Sequence, residues 1–154
     1  MGRVLGLDVG EKTIGIALSD EAHLMAFPGE TLWRQEGYRR DMAQLRQLVH
    51  EQKVEAIVIG LPLLLDGSEG IQAEKIRAFI AHLRNYVRIP IITQDERLTT
   101  REAERVLIAA ERRREDRKKV LDSMAACLLL QTYLDQQRAR TLEPETQLPS
   151  ECAE

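Results

Sequence analysis

Three carboxylates stand at points where the chain changes character. Asp8 closes a run rich in Val and Leu and is followed by Val9-Gly10. Glu96 comes directly after Ile91-Ile92-Thr93-Gln94-Asp95, and Asp122 sits among Val120, Leu121, Met124 and Ala125. Each has an ordinary explanation: an Asp before Val-Gly suits a turn, Glu96 a solvated loop, and Asp122 a helix start facing the positive end of the dipole. Their placement together says more. In sheets with parallel strands, sites form beyond the carboxyl ends of the strands. If the strands around Val4, Ile57 and Ile91 are parallel neighbours, Asp8 and Glu96 lie at one edge. Two carboxylates so placed raise each other's pKa unless a cation sits between them. Oxygen donors of this kind suit Mg²⁺ or Mn²⁺, which keep water and bind phosphate oxygens. Asp122, in so apolar a context, wants a partner, because an unpaired buried charge is costly.

A second group is basic. Arg112, Arg113, Arg114, Arg117, Lys118 and Lys119 crowd eight positions, interleaved with Glu115 and Asp116. With Lys12, Arg97 and Arg101 they form a candidate phosphate-binding surface; the other reading is a solvated charged loop. Few aromatics lie near the cluster, so shape and backbone contacts fit better than base stacking. Other chemistries find no support. His23, His50 and His82 have no zinc-ligand spacing, no Gly-x-Ser-x-Gly elbow occurs, and no Gly-x-x-x-x-Gly-Lys phosphate loop occurs.

The elements that must position these groups follow from periodicity. Arg3 to Val9 and Thr13 to Ser19 read as a hairpin. Ile14, Ile16 and Leu18 face one side and Gly15, Ala17 and Ser19 the other, while Gly6 and Asp8 share a parity opposite Leu5 and Leu7. A third strand is expected over residues 24–33, interrupted by Pro28-Gly29 and therefore at an edge. Tyr38, Met42, Leu45 and Val49 recur at helical spacing. Residues 56–59 form a short apolar run typical of a strand buried on both faces. A helix with Ile76, Phe79, Ile80 and Leu83 inward follows, then a strand over residues 90–93. Thr99 to Glu102 is a capping box opening a helix with Ala103, Val106, Leu107 and Ala110 inward. A charged break at residues 112–119 precedes a last helix from 120 to about 137. The order β-β-β-α-β-α-β-α-α implies an α/β fold, a mixed sheet with helices on both faces.

Composition sets the outer limits. The chain has 154 residues, enough for one domain with a hydrophobic core, and 44% hydrophobic with 31% charged residues is a globular balance. A net charge of -3 gives no global signal for nucleic acid, but phosphate binding needs only a local basic surface. Cys127 and Cys152 read as a core residue and an exposed thiol, pointing to a reducing compartment. No targeting segment or membrane-length apolar run is visible, so a cytoplasmic location is expected with no membrane partner. Residues 1–138 are expected to form the single domain, and 139–154, with Pro144, Pro149 and several Glu, a disordered tail.

Several motifs carry a family resemblance. Leu7-Asp8-Val9-Gly10, Gly15-Ile16-Ala17-Leu18-Ser19-Asp20, Gly60-Leu61-Pro62, Asp66-Gly67-Ser68-Glu69-Gly70, Asp95-Glu96-Arg97-Leu98-Thr99-Thr100 and Asp122-Ser123-Met124-Ala125-Ala126 occur in order and extend to about Leu134. Together they resemble the YqgF/RuvX family, whose bacterial members are described as Holliday junction resolvases and as pre-16S rRNA nucleases. The resemblance implies an RNase H-like nuclease in which Asp8, Glu96 and Asp122 hold Mg²⁺ or Mn²⁺ and act in phosphodiester hydrolysis. Only the resemblance, and not spacing, adds Asp122 to the other two. Two departures stand out: Leu64 replaces an Asn usual before the Asp-Gly, and Thr13 follows Lys12 where a basic residue is common.

What the resemblance implies of substrate is a structured RNA, above all the 5′ end of pre-16S rRNA during ribosome biogenesis, or a branched DNA junction. A four-way junction calls for a symmetric homodimer, whereas an RNA end can be cut by a monomer. Two further readings are a nucleic-acid-binding assembly factor that does not cut and a nucleotide-binding phosphotransferase. The latter is suggested by Leu7-Asp8-Val9-Gly10, but one domain of this length cannot close a two-domain nucleotide cleft.

Overall fold

A computed structural model describes residues 2–96 and 114–142, the side chains of 114–123 and 141–142 apart. Its elements are β1 (Arg3–Val9), β2 (Thr13–Ser19), β3 (Ala26–Pro28), β4 (Leu32–Trp33), α1 (Arg39–Glu51), β5 (Val54–Leu61), α2 (Ile71–Leu83), β6 (Ile91–Asp95) and α3 (Arg114–Leu142).

The strands form one mixed sheet in the order β3-β2-β1-β5-β6, with β4 also paired to β2. β1 and β2 are the expected hairpin, with Asp8 opposite Gly15 and Val9 opposite Ile14. β1, β5 and β6 run parallel, with Leu7 beside Ile59 and Gly60 beside Gln94. The carboxyl ends of these three strands therefore share an edge, as the placement of Asp8 and Glu96 required.

Strand alternation sorts the core into two layers. Leu5, Leu7, Ile14, Ile16, Ile57 and Ile59 pack with Met42 and Leu45 of α1 and Ile76, Phe79 and Leu83 of α2. Val4, Ala17, Ala26 and Val58 pack with Ala126, Leu129, Leu130 and Leu134 of α3. Helices thus cover both faces.

Two expectations need correction. The strand read over residues 24–33 is two short strands. Ala26 pairs with Ser19 and Leu32 with Ile14, and beyond Pro28 the Gly29 amide donates to the Ile16 carbonyl at 2.6 Å. Pro28 still pairs with Ala17, but the register shifts by one residue after Gly29, so that Glu30 and Thr31 together fall opposite Gly15 as in a β-bulge. The charged break read at 112–119 is helix from Arg114 onward, and α3 continues through Leu142, past the end read at about 137 and into the segment read as tail. Residues 114–119 contain neither Gly nor Pro and are mostly Arg, Lys and Glu, which are good helix formers whatever their charge. The helix expected from Thr99, together with Cys152, lies outside the described residues.

Candidate active site

Asp8 shares its face of β1 with Val4 and Gly6, the face covered by α3. Gly6 lets the helix come close. A Cβ there would lie 2.9 Å from the Leu130 Cβ and 3.3 Å from the Ala126 carbonyl oxygen. Val4 borders a cavity with Leu134, while Gly6 meets Leu130 and Ala126, so α3 runs antiparallel to β1 and its numbers fall toward Asp8. The steps match: two strand residues advance roughly 6.6 Å and one helical turn of four residues roughly 6 Å. Continuing by one turn reaches Asp122, whose backbone is helical and whose side chain lies outside the described residues.

Glu96 follows β6 and reaches across β5. The space that makes this possible is Gly60, where a Cβ would stand 2.8 Å from the Glu96 Cγ and 2.9 Å from its Oε1. Any side chain at position 60 would occupy the volume that Glu96 uses. The Glu96 carboxyl meets the Asp8 carboxyl in a hydrogen bond, and its pKa is pushed up to about 8. Burial is the main cause, followed by the hydrogen bond to Asp8, the Asp8 charge and the Asp95 charge. With only protons to neutralise it, the pair shares a proton between two carboxylates.

The turn joining β1 to β2 is held from outside by Arg34. Its amide donates to the Lys12 carbonyl at 2.8 Å and its Nη1 to the Gly10 carbonyl at 2.8 Å. Its Nε reaches the Asp41 Oδ2 at 3.5 Å, and its guanidinium lies over the rings of Tyr38 and Phe79. Asp41 is fully buried at the start of α1 and also accepts the Gln35 amide at 3.0 Å. Sequence reading missed this clamp. Its parts lie in three elements, and no local periodicity links Gly10, Arg34 and Asp41.

The structure therefore joins Asp8 and Glu96, as expected. Among the described residues no three His, Cys, Asp or Glu side chains are grouped as a metal site. Lys12 is exposed in the turn beyond Asp8. Arg97, Arg101, Arg112 and Arg113 lie outside the described residues, and Arg114, Arg117, Lys118 and Lys119 are placed by backbone alone, on the first turns of α3. The two departures fall differently. Thr13 is buried at the start of β2, whereas Leu64 is half-exposed and packs against Gly70. Cys127 is half-buried, donates its thiol to the Ala26 carbonyl at 3.3 Å, and has a thiol pKa raised by that burial.

The family profile described as "RuvX: Holliday junction resolvase" matches residues 2–136. The chain belongs to this family. RuvX relatives resemble it along nearly their whole length. A Halalkalibacterium halodurans protein named "Putative pre-16S rRNA nuclease" is 49% identical over 140 residues, covering 90% of this chain and 99% of the relative. A protein of the same name from Thermoanaerobacter pseudethanolicus is 45% identical over 137 residues, covering 88% and 98%. Among solved structures, Thermus thermophilus RuvC in complex with Holliday junction substrate aligns with a TM-score of 0.60, covering 90% of this chain and 97% of that one. At 13% identity the likeness to RuvC concerns the fold, an RNase H-like mixed sheet with helices on both faces.

Proposed function

We propose that this RuvX-family chain is a divalent-metal-dependent endonuclease that hydrolyses phosphodiesters in structured nucleic acid, with the 5′ end of pre-16S rRNA as its substrate in ribosome biogenesis. The observation that carries the reading is the contact between the Asp8 and Glu96 carboxyls at the shared strand edge. A pair of hard oxygen donors, buried and short of positive charge, is suited to Mg²⁺ or Mn²⁺. Asp8 and Glu96 would hold the metal, with Asp122 as the third ligand from the antiparallel α3. When bound, such a cation supplies Lewis-acid stabilisation of phosphate oxygens and a nucleophilic water at neutral pH.

The protein's own groups do the rest. Gly60 leaves the room in which Glu96 lies against Asp8, and Arg34 fixes the turn beyond Asp8. Lys12 and the basic residues around Arg114 supply positive charge for the substrate backbone. Arg97, Arg101, Arg112, Arg113, Arg117, Lys118 and Lys119 join that surface. We place the protein in the cytoplasm; among the described residues no helix is long and apolar enough to cross a membrane.

A second reading is Holliday junction resolution, favoured by the profile's own description. The test is to offer the purified chain labelled precursor rRNA fragments and four-way DNA junctions with Mg²⁺, Mn²⁺ or EDTA. Metal-dependent cleavage of the rRNA precursor is expected. Paired symmetric cuts in the junction alone would move the assignment to the second reading. Binding of either without cutting, at any metal concentration, would make the protein a non-cleaving assembly factor.

A further inference from the structure

The strand β4 carries the chain's single tryptophan, Trp33, and holds it half-exposed, at 52%. Its face is fixed by its neighbours. Leu32 packs into the core beneath α1 and α2, and the Arg34 guanidinium lies over Tyr38 and Phe79 in that same layer. Alternation then sends Trp33 to the opposite face of the sheet. Pairing agrees: Trp33 stands opposite Thr13, which is two residues before Gly15, the partner of Asp8. Trp33 and Asp8 therefore share one face.

Their separation is short. β4 and β1 are two strand spacings apart, and two residues of stagger add to that, giving roughly 12 Å in all. That is within a few nucleotides of a phosphate held at the carboxylates. Between the two positions the sheet presents only Thr13 and Gly15, so no large side chain of β2 separates them. Lys12 lies in the adjoining turn, and with Trp33 it borders a groove of about 630 Å³ at the end of the hairpin. Two carboxylates also line it, Glu36 and Glu11, the second paired with Lys75 at 3.2 Å.

The platform is also rigid. Arg34 ties β4 to the hairpin through its own amide and through its guanidinium, and Asp41 and two aromatic rings hold the guanidinium in place. A backbone anchored in advance leaves only the indole's own side-chain torsions to settle when a base stacks on it.

We propose that Trp33 is a stacking platform for an unpaired base of the substrate strand, with Lys12 meeting the adjacent phosphate. This rests on the nuclease reading and narrows it: the strand is unpaired a few nucleotides from the cut. A π-face accepts any base, so the contact confers preference for single strands and not for sequence. A base in a duplex is already stacked and cannot reach the indole.

Because the tryptophan is unique, its fluorescence reports on this one position. The wild-type chain in EDTA is titrated with a short single-stranded RNA of mixed sequence and, separately, with its duplex. Binding is followed in parallel by anisotropy of a labelled strand. Saturable quenching by the single strand but not by the duplex is expected. Trp33→Ala should weaken single-strand binding about ten-fold, and Trp33→Phe should retain most of it. Unchanged fluorescence at saturating RNA, equal quenching by the duplex, or wild-type affinity in Trp33→Ala would each overturn the proposal. Adding Mg²⁺ separates it from the reading it rests on. Quenching with no cleavage leaves the platform standing and removes the nuclease. Cleavage with an unaltered KM in Trp33→Ala does the reverse.

Discussion

On the face covered by α1 and α2 the sheet presents Leu5, Leu7, Ile14, Ile16, Ile57 and Ile59, whereas on the face covered by α3 it presents Val4, Gly6, Gly15, Ala17 and Val58. The first layer is made of large side chains that are buried against Met42, Leu45, Phe79 and Leu83. The second is made of small ones, and the helix above it comes close enough for Leu130 to fill the space over Gly6. The difference has a chemical consequence. Carboxylates from a strand end and a loop converge only where little stands between them, and the small-residue face is where Asp8 and Glu96 meet, under the helix that carries Asp122. One face supplies stability and the other supplies room.

The sharpest way to break this contrast is to add one methyl group at each of two glycines. In Gly60→Ala the new Cβ meets the flexible Glu96 side chain, which can move aside, so the fold should persist while the carboxylate is displaced. Cleavage is expected to drop about 100-fold, since a shift of about 1 Å in a reacting group can cost that much. The melting temperature should change little. In Gly6→Ala the new Cβ meets the Leu130 Cβ at 2.9 Å and a backbone carbonyl, which cannot yield without moving the helix. A stability loss of about 1–3 kcal/mol is expected in chemical denaturation. Equal stability losses at both positions would erase the distinction between a face built for packing and a site built for space.

A smaller effect concerns pH. Glu96 has a pKa pushed up to about 8 from the 4.5 it has when unfolded. Between those values the folded chain holds a proton that the unfolded chain has released, so stability falls as pH rises through this window. In EDTA the melting temperature of wild type should therefore decline by a few degrees, relative to Glu96→Gln, from about pH 5 to about pH 8. Parallel melting curves for the two proteins across that range would mean that Glu96 is not held against Asp8.

Much of this was legible in the sequence, for reasons that differ by region. The hairpin parity, the helical stripes and the parallel strands could be read because alternation and the 3.6-residue period are local. Asp8 and Glu96 could be brought to one edge on the condition that the strands around Val4, Ile57 and Ile91 are parallel neighbours, and the sheet order meets that condition. The rest depends on contacts between distant residues. Pro28-Gly29 signalled an edge, yet not that β3 and β4 would pair separately with β2. The charge of residues 114–119 hid a helix, because charge and helix propensity are independent properties of Arg, Lys and Glu. Gly60 was visible as a strand end, but its role as the space for Glu96 needed the register of β5 against β6. Few aromatics lie near the basic cluster in sequence, which argues against base stacking, yet the sheet brings the distant Trp33 to the face of Asp8.

The most direct test is the cleavage rate of Asp8→Asn against wild type on the precursor rRNA fragment, with Mg²⁺ in excess and RNA binding measured in parallel. The substitution keeps the side-chain shape and removes the charge that a divalent cation needs. The expected result is wild-type RNA affinity with cleavage reduced by more than about 100-fold, beyond what loss of an outer-shell partner costs. Cleavage within a few-fold of wild type, in a folded Asp8→Asn protein that still binds RNA, would contradict the assignment of the Asp8–Glu96 pair as the metal site.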